Sequence, residues 1–396
     1  MSDPRNGRPP GPAPGGPRGA GDRPIGEGEG GPEFELLPDD WDEQADELAA
    51  GFLSADEIPA ADRELLARFC HLCLRYAHAE VRIQGEILCE IPAHLSVLRG
   101  LRSGDLLEEA AFLAAEERRN LELPDGPIED LTEILDDRGI KVIEWPEAQG
   151  RRLGAFLFRP RTGPALLALA PPNSAAGRFI LAHGYCHLVA DVDPYEDRYC
   201  PHCAAPGLGP ARRPGGRLLT GTDHDPFPAD DLPLAELRAD LFARALLLPA
   251  EHFAGALRGF GIRPGRGLDL ARLEDVAYYY GVEGPVVLNR MADLRLLPIA
   301  EVLALAAEQQ TLLARGAIAA PAAGDGPADA PPRAPHLPAR FARLGLALFL
   351  RREVSLQQMA TLLGIDRAAA RAFVAASELQ VSRAPTEAAP PGSGEL

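Results

Sequence analysis

The chain has 396 residues, enough for two or three units of ordinary domain size. Hydrophobic residues make up 46% and charged residues 25%, which is a globular composition, and no apolar run approaches the ~20 residues of a membrane-spanning helix. The formal net charge of −18 opposes diffuse attraction to nucleic acid, because phosphate binding depends on clustered positive charge. We therefore expect no membrane partner, and contact with DNA only through a local basic patch.

The N-terminal stretch 1–33 is rich in Gly, Pro and Arg and holds few large apolar side chains. It lacks the hydrophobic segment of a signal peptide and the side chains needed to pack a core, so we predict a disordered tail. Without an export signal we expect a cytoplasmic protein, whose cysteines are thiols or metal ligands before they are disulfides. A helical region is predicted to follow at 34–124.

Between 125 and 255 the sequence predicts an α+β core. A helix is followed by three short apolar runs typical of strands, at 140–145, 154–158 and 165–170. The last run is so uniformly apolar that we expect it to be buried on both faces of the sheet.

Two further helices complete this core. Pro171-Pro172 interrupts the sheet, and Asn173 or Ser174 can cap the next helix. A polar insertion at 190–230 precedes the following helix, which ends before Pro249.

The remainder of the chain predicts two small helical units. At 256–316 two short helices flank a turn that contains glycine, as in a helix-turn-helix. An Ala, Pro and Gly-rich linker at 317–335 leads to a second helical unit at 336–380 that repeats this pattern. A disordered tail is predicted at 381–396.

The segment His183-Gly184-Tyr185-Cys186-His187 carries two imidazoles four residues apart. On a helix both side chains project from one face and can bind one ion. A helix face can also carry such a pair without any metal, so the pair alone leaves both interpretations open.

The next helix carries Glu236 and Asp240 at the same spacing, beside an apolar stripe of leucines that turns both carboxylates inward. Two neutral imidazoles, one carboxylate and a water are the ligand set of a catalytic zinc site. We therefore predict Zn²⁺ bound by His183, His187 and Glu236, with Asp240 orienting a ligand histidine. The alternative is an acid pair on a solvated face.

These segments resemble the ImmA/IrrE family of metallopeptidases. The similarity lies in the Gly-Ile strand and hairpin, in the "LAH…H" helix ending at His187, in the "ExxADxFA…LLLP" helix beginning at Glu236, and in the helix-turn-helix-like segment that follows. It covers about residues 105–380. The resemblance implies a zincin-like core, His183, His187 and Glu236 as metal ligands, and a helix-turn-helix repressor as the protein partner that is cut.

One position departs from the family pattern. The family has His-Glu-x-x-His, in which the glutamate is the general base, whereas this chain has Gly184. Since general acid–base assistance contributes about 10²–10⁴ in rate, we expect impaired or lost proteolysis unless another group substitutes. A protein that binds zinc only for structure or sensing, and sequesters its partner, is the alternative. Candidate substitutes are Asp191, Asp193, Glu196, His224 and Asp240.

Two further patterns suggest binding sites. Cys200 and Cys203 have the spacing of half a zinc knuckle, which Cys70 and Cys73, or Cys186, could complete. Cys70 and Cys73 also fit an apolar helix face as small buried side chains.

The last unit is the most basic part of the chain and is a candidate for DNA contact or protein docking. Its arginines are Arg340, Arg343, Arg351, Arg352, Arg367 and Arg371, against Glu353 and Asp366.

Overall fold

The computed structural model describes most of the predicted helices and strands. It covers residues 43–48, 60–91, 105–145, 153–170, 173–191, 198–200, 234–262, 270–298, 300–302, 304–305, 307–308 and 336–383. The predicted tail at 1–33, the linker at 317–335 and most of the tail at 381–396 lie outside these residues, as does most of the insertion. None of the described helices is both long and apolar enough to cross a membrane.

The described elements alternate helices with one small sheet. The main helices are α1 (Ala60–Gln84), α2 (Leu106–Asn120), α3 (Leu131–Asp137), α4 (Ala175–Cys186), α5 (Leu234–Leu247), α6 (Ala250–Gly259), α7 (Leu270–Tyr280), α8 (Gly284–Asp293), α9 (Ala339–Leu350), α10 (Leu356–Leu363) and α11 (Arg367–Arg383). The strands are β1 (Lys141–Glu144), β2 (Leu153–Arg159), β3 (Gly163–Leu169) and β4 (Arg198–Cys200). The general α+β class is thereby confirmed.

The sheet is mixed, in the order β1-β3-β2-β4. β2 and β3 form an antiparallel hairpin, β1 runs parallel to β3, and β4 pairs antiparallel with β2. β1, β2 and β3 occupy the three predicted strand positions. The short strand β4 lies in the polar insertion, where no strand was predicted, because its few residues lack an alternating apolar pattern.

Both faces of the sheet are covered. Every residue of β3 is buried, and its alternate side chains belong to two different apolar clusters. Leu166 and Ala168 pack with α4, α5 and the helices that follow them, whereas Leu167 and Leu169 pack with α1 and the C-terminal helices. The alternation of side chains along a strand explains why one apolar run serves both layers.

A buried ionic cluster joins α1, β1 and α9 on the second face. Lys141 Nζ lies 2.7 Å from one carboxylate oxygen of Glu80, and Arg340 Nη1 lies 2.6 Å from the other. The backbone N–H of Arg340 donates to Asp136, which also accepts from the hydroxyl of Tyr76 at 2.6 Å. The segment 336–380, predicted as a C-terminal helical unit, contacts α1 and the sheet through paired buried charges.

The two short helices predicted as a helix-turn-helix at 256–316 are α7 and α8. Every residue of α8 is buried, including Asn289, Arg290 and Asp293. A recognition helix must expose side chains to a groove of DNA, so α8 in this arrangement is a packing element.

Candidate metal centre

Helix α4 carries both histidines. The side chain of Ser174 caps the helix by accepting from the N–H of Gly177 at 3.0 Å, while Asn173 takes a positive φ just before it. The helix packs on β3 and β2, so the imidazoles of His183 and His187 are about 1% exposed. Beyond His187 the chain continues as a π-helical turn, His187–Asp191, a local geometry that is frequent at functional sites.

Helix α5 supplies the carboxylates from the opposite side. Glu236 and Asp240 lie one turn apart near its start, and their side chains are 13% and 15% exposed. Helix α5 contacts α2 and α4, and both acids contact His183 of α4. Partly buried carboxylates that face two imidazoles indicate a site for a cation.

The three proposed ligands form a small triangle. The Nε2 atoms of His183 and His187 are 3.1 Å apart, and Glu236 places one oxygen 3.2 Å from His183 and the other 3.5 Å from His187. Zinc ligands at ~2.0–2.1 Å in tetrahedral geometry are separated by roughly 3.3 Å. The donor set and its spacing therefore fit one metal ion, and these three residues can hold one.

Asp240 determines how His183 faces this triangle. Its Oδ1 lies 2.9 Å from His183 Nδ1. When Nδ1–H of His183 donates to the carboxylate of Asp240, Nε2 of His183 carries a lone pair. That lone pair faces Glu236 and Nε2 of His187. The group is stabilised either by protonation of an imidazole, whose N–H then donates to Glu236, or by a metal ion bound between the three residues.

The charge state of Glu236 agrees with this geometry. Burial raises the pKa of its carboxyl, but hydrogen bonds and charge interactions with His183 and His187 outweigh burial and hold the pKa well below its ordinary range. Glu236 is therefore ionised at neutral pH and available as an anionic ligand.

A layer of buried charges lies behind Asp240. Arg244, one turn further along α5, donates to Asp293 of α8 through Nε at 2.7 Å, and both side chains are almost fully buried. Burial lowers the pKa of Arg244, but Asp293 and Asp240 outweigh it and raise the pKa. Arg244 lies four residues after Asp240, so helical spacing could have placed it next to the site. No local sequence pattern connects Arg244 to Asp293.

Phe156 of β2 packs against the second histidine. Its ring stacks on His187, with centroids 4.9 Å apart and an interplanar angle of 16°. This contact fixes the ring plane of a proposed ligand from the sheet side, as Asp240 does for His183 from the helix side.

Gly184 lies on the face of α4 that packs against Leu166 of β3. A Cβ atom at this position would lie 2.9 Å from Cδ2 of Leu166 on β3, inside normal contact distance. Because Leu166 is itself 1% exposed, the space next to Gly184 is occupied by core side chain. A carboxylate-bearing residue therefore does not fit here without movement of Leu166.

Other predicted site residues lie elsewhere or outside the described residues. Asp240 lies on the Nδ1 side of His183, away from the triangle, which suits orientation of the ring better than general base catalysis. Only the backbone of Asp191 is described, and Asp193, Glu196 and His224 lie outside the described residues.

Among the residues that the structure describes, no cysteine belongs to the group formed by His183, His187 and Glu236. Cys70 and Cys73 are buried on α1 in the cluster on the second face of the sheet, and burial raises the pKa of the Cys73 thiol. Cys186 belongs to the cluster on the first face. The side chain of Cys200, and all of Cys203, lie outside the described residues, so the predicted second metal site stays a prediction.

This chain has no match among the known proteins with which it was compared, so its class rests on its fold and site. No protein-family model matches the chain, and no curated protein or solved structure matches it. The chain is thus an α+β protein in which two buried histidines and one partly buried glutamate can hold a metal ion.

Proposed function

We propose that this chain is a zinc-binding regulatory protein of the ImmA/IrrE metallopeptidase type, acting on a helix-turn-helix repressor or similar protein, with proteolysis impaired or lost. The observation that supports the proposal most is the triangle of His183, His187 and Glu236, backed by Asp240. Its donor atoms are 3.1 to 3.5 Å apart and fit a tetrahedral zinc ion.

In this proposal each residue has a defined task. His183, His187 and Glu236 hold zinc, and Asp240 keeps the His183 ring in the tautomer that binds through Nε2. A zinc ion in such a site supplies Lewis acidity and lowers the pKa of a bound water to about 7. Gly184 has no side chain, so position 184 offers no carboxylate that could accept a proton from this water.

The loss of the general base favours binding over cutting. Without acid–base assistance peptide hydrolysis is expected to be slower by about 10²–10⁴. A Cβ atom at position 184 would meet one methyl group of Leu166, so a side chain there requires Leu166 to move. This packing supports the second candidate, a protein that retains zinc and sequesters its partner without cleaving it.

Metal content and cleavage can be measured on the same preparations. Protein purified without chelator is analysed for zinc, together with His183→Ala and Glu236→Ala, and each preparation is incubated with the helix-turn-helix repressor encoded beside its gene. We expect one zinc per chain in the parent and loss of zinc in both variants. The matched control is Glu133→Ala, which removes an exposed carboxylate far along the chain from the triangle.

The outcomes separate the two candidates. Chelator-sensitive cleavage of the repressor identifies an enzyme with a substituted base and ends the sequestration proposal. Zinc-dependent binding of the repressor without cleavage supports sequestration. Zinc that persists in both variants contradicts the proposed ligand set and redirects attention to Cys200 and Cys203.

A further inference from the structure

The C-terminal helices α9, α10 and α11 follow one another as in a helix-turn-helix, and most described side chains of α11 are not buried. α10 begins with a capping box, in which Ser355 and Gln358 cap each other's backbone N–H, and ends at Gly364 with φ of 67°. The left-handed glycine reverses the chain into α11, and Asp366 caps that helix by accepting from Ala369 N–H at 2.7 Å. This arrangement is independent of the metal centre.

The two helix-turn-helix-shaped units differ in what their second helix exposes. α8 is buried along its whole length. In α11 only Ala370 is buried among the side chains described, while Arg367 and Arg371 are exposed one turn apart near the start of the helix. Residues near the start of the second helix are those that contact DNA in such units.

The C-terminal unit also carries an excess of positive charge. Residues 336–383 contain seven arginines and three acidic residues, in a chain whose net charge is −18. Arg343, Arg351, Arg352, Arg367 and Arg371 are all exposed, whereas Arg340 is used in the buried cluster with Glu80. Arg343 lies 3.7 Å from Asp137 and Arg351 lies 4.0 Å from Glu353, both at the surface, where such ion pairs are weak. At about 0.1 M salt, charges more than about 10 Å away are largely screened, so this local patch outweighs the negative charge elsewhere.

The first two helices provide a fixed support. α9 packs on α1, and Arg340 holds it there through Glu80 and Asp136. α10 buries Met359, Ala360, Leu362 and Leu363 and exposes Gln357 and Thr361, so α11 is presented outward from a rigid base. A supported and exposed basic second helix fits the major groove of DNA.

We propose that the α9–α11 unit binds duplex DNA through the exposed face of α11, with Arg367 and Arg371 directed at the duplex and Arg351 and Arg352 at its phosphates. The face carries two arginines among alanines, so most binding energy comes from phosphate contacts and sequence preference is weak. We expect a Kd of about 10⁻⁴–10⁻⁶ M at physiological salt, falling to tighter values as salt is lowered.

The first test is fluorescence anisotropy of the full chain with a labelled random-sequence duplex, from about 50 to 200 mM salt. Changing Arg367 and Arg371 together to Ala is expected to weaken binding about tenfold or more and to reduce the salt slope by about 1 for each phosphate that is no longer neutralised. The matched control changes Arg161 and Arg258, two exposed arginines outside the unit, to Ala and is expected to leave binding unchanged.

A third variant reports on the charge at the start of α11. Asp366→Ser keeps a side chain that caps the helix but removes a negative charge from the proposed DNA-binding face, so binding should tighten. Thermal unfolding of each variant separates a weakened interface with DNA from a failure of the chain to fold.

Three results would overturn the proposal. One is no binding of duplex by the folded parent at low salt, and another is equal weakening by both double variants, which indicates diffuse charge. The third is that the parent binds no duplex but forms a dimer, and that changing Arg367 and Arg371 dissociates this dimer. The exposed face of α11 would then bind a second copy of this chain.

Discussion

Arg244 on α5 and Asp293 on α8 form a nearly fully buried ion pair, with Nε 2.7 Å from Oδ2 and a second bond from Nη2 at 3.3 Å. Arg244 lies one helical turn beyond Asp240, which contacts His183. Against the lowering effect of burial, electrostatic interaction with Asp293 and with Asp240 raises the pKa of Arg244. Arg244 thus pairs with α8 and also interacts through its charge with the residue that contacts His183.

The Arg244 pair is expected to tune metal affinity. Arg244→Met should destabilise the protein by about 3–5 kcal/mol, because it leaves Asp293 charged and unpaired in the core. Arg244→Met combined with Asp293→Leu should recover most of that stability but still bind zinc about 10–100-fold more weakly, since Asp240 loses the positive charge of Arg244 with which it interacts. Urea unfolding and chelator competition measure the two effects, and wild-type zinc affinity in the double variant would limit the pair to a structural role.

Removal of the metal ion from His183, His187 and Glu236 should lower the free energy of unfolding. Zinc at about 100 times its Kd is expected to stabilise the folded chain by about 2.7 kcal/mol, because binding to the native state shifts the unfolding equilibrium. The melting temperature should rise with zinc, fall with chelator, and respond to neither in His187→Ala. Equal responses in parent and variant would place the bound ion elsewhere in the chain.

Gly184 and Leu166 are expected to be coupled. Gly184→Glu alone should destabilise the chain by about 1–3 kcal/mol, because the new side chain meets Leu166 in a packed core. When Gly184→Glu is combined with Leu166→Ala, the loss in free energy of unfolding should be clearly smaller than the sum of the losses from the two single changes. The shortened side chain at 166 leaves room for the new glutamate side chain, which in turn fills part of the space that Leu166 vacates. Urea unfolding of the four proteins gives the coupling, and additive effects would argue against direct packing of Leu166 on position 184.

The same double variant tests whether the missing base limits cleavage. With space available, a carboxylate at 184 is expected to raise repressor cleavage by up to about 10²–10⁴. The matched control combines Gly184→Ala with Leu166→Ala, which opens the same space without a carboxylate. Equal cleavage by the two proteins would show that the absent glutamate does not limit the reaction.

Glu144 is expected to give a pH-dependent stability. Burial raises its pKa above the ordinary 4.5, outweighing hydrogen bonds from the Asn173 N–H and the Thr132 hydroxyl. A carboxyl whose pKa is raised by folding stabilises the native state fully below its unfolded pKa, and this contribution is lost as pH rises through the folded pKa. Glu144→Gln should therefore match the parent at about pH 4 and exceed its stability at about pH 8 by about 1 kcal/mol.

Urea midpoints at the two pH values measure this difference. Glu133→Gln, an exposed change on α3, serves as the control and should show no such pH dependence. A gain at the lower pH that disappears at the higher pH has the opposite sign and would contradict the assignment of Glu144 as a destabilising buried charge.

Much of the fold and the site can be read from local patterns in the chain. Helical spacing places His183 with His187, and Glu236 with Asp240, on single helix faces, because side chains four residues apart are neighbours on any helix. Strand positions follow from apolar runs in the same way. These features depend on residues close in sequence, so they can be predicted without knowledge of the tertiary structure.

Other features depend on contacts between distant segments. The pairing of Arg244 with Asp293, the burial of α8, and the packing of Leu166 against Gly184 each join segments that no spacing rule connects. The sequence alone presents two similar helix pairs, α7–α8 and α10–α11. Burial of α8 by its neighbours and exposure of α11 distinguish them, since the environment of a helix face is set by what packs on it.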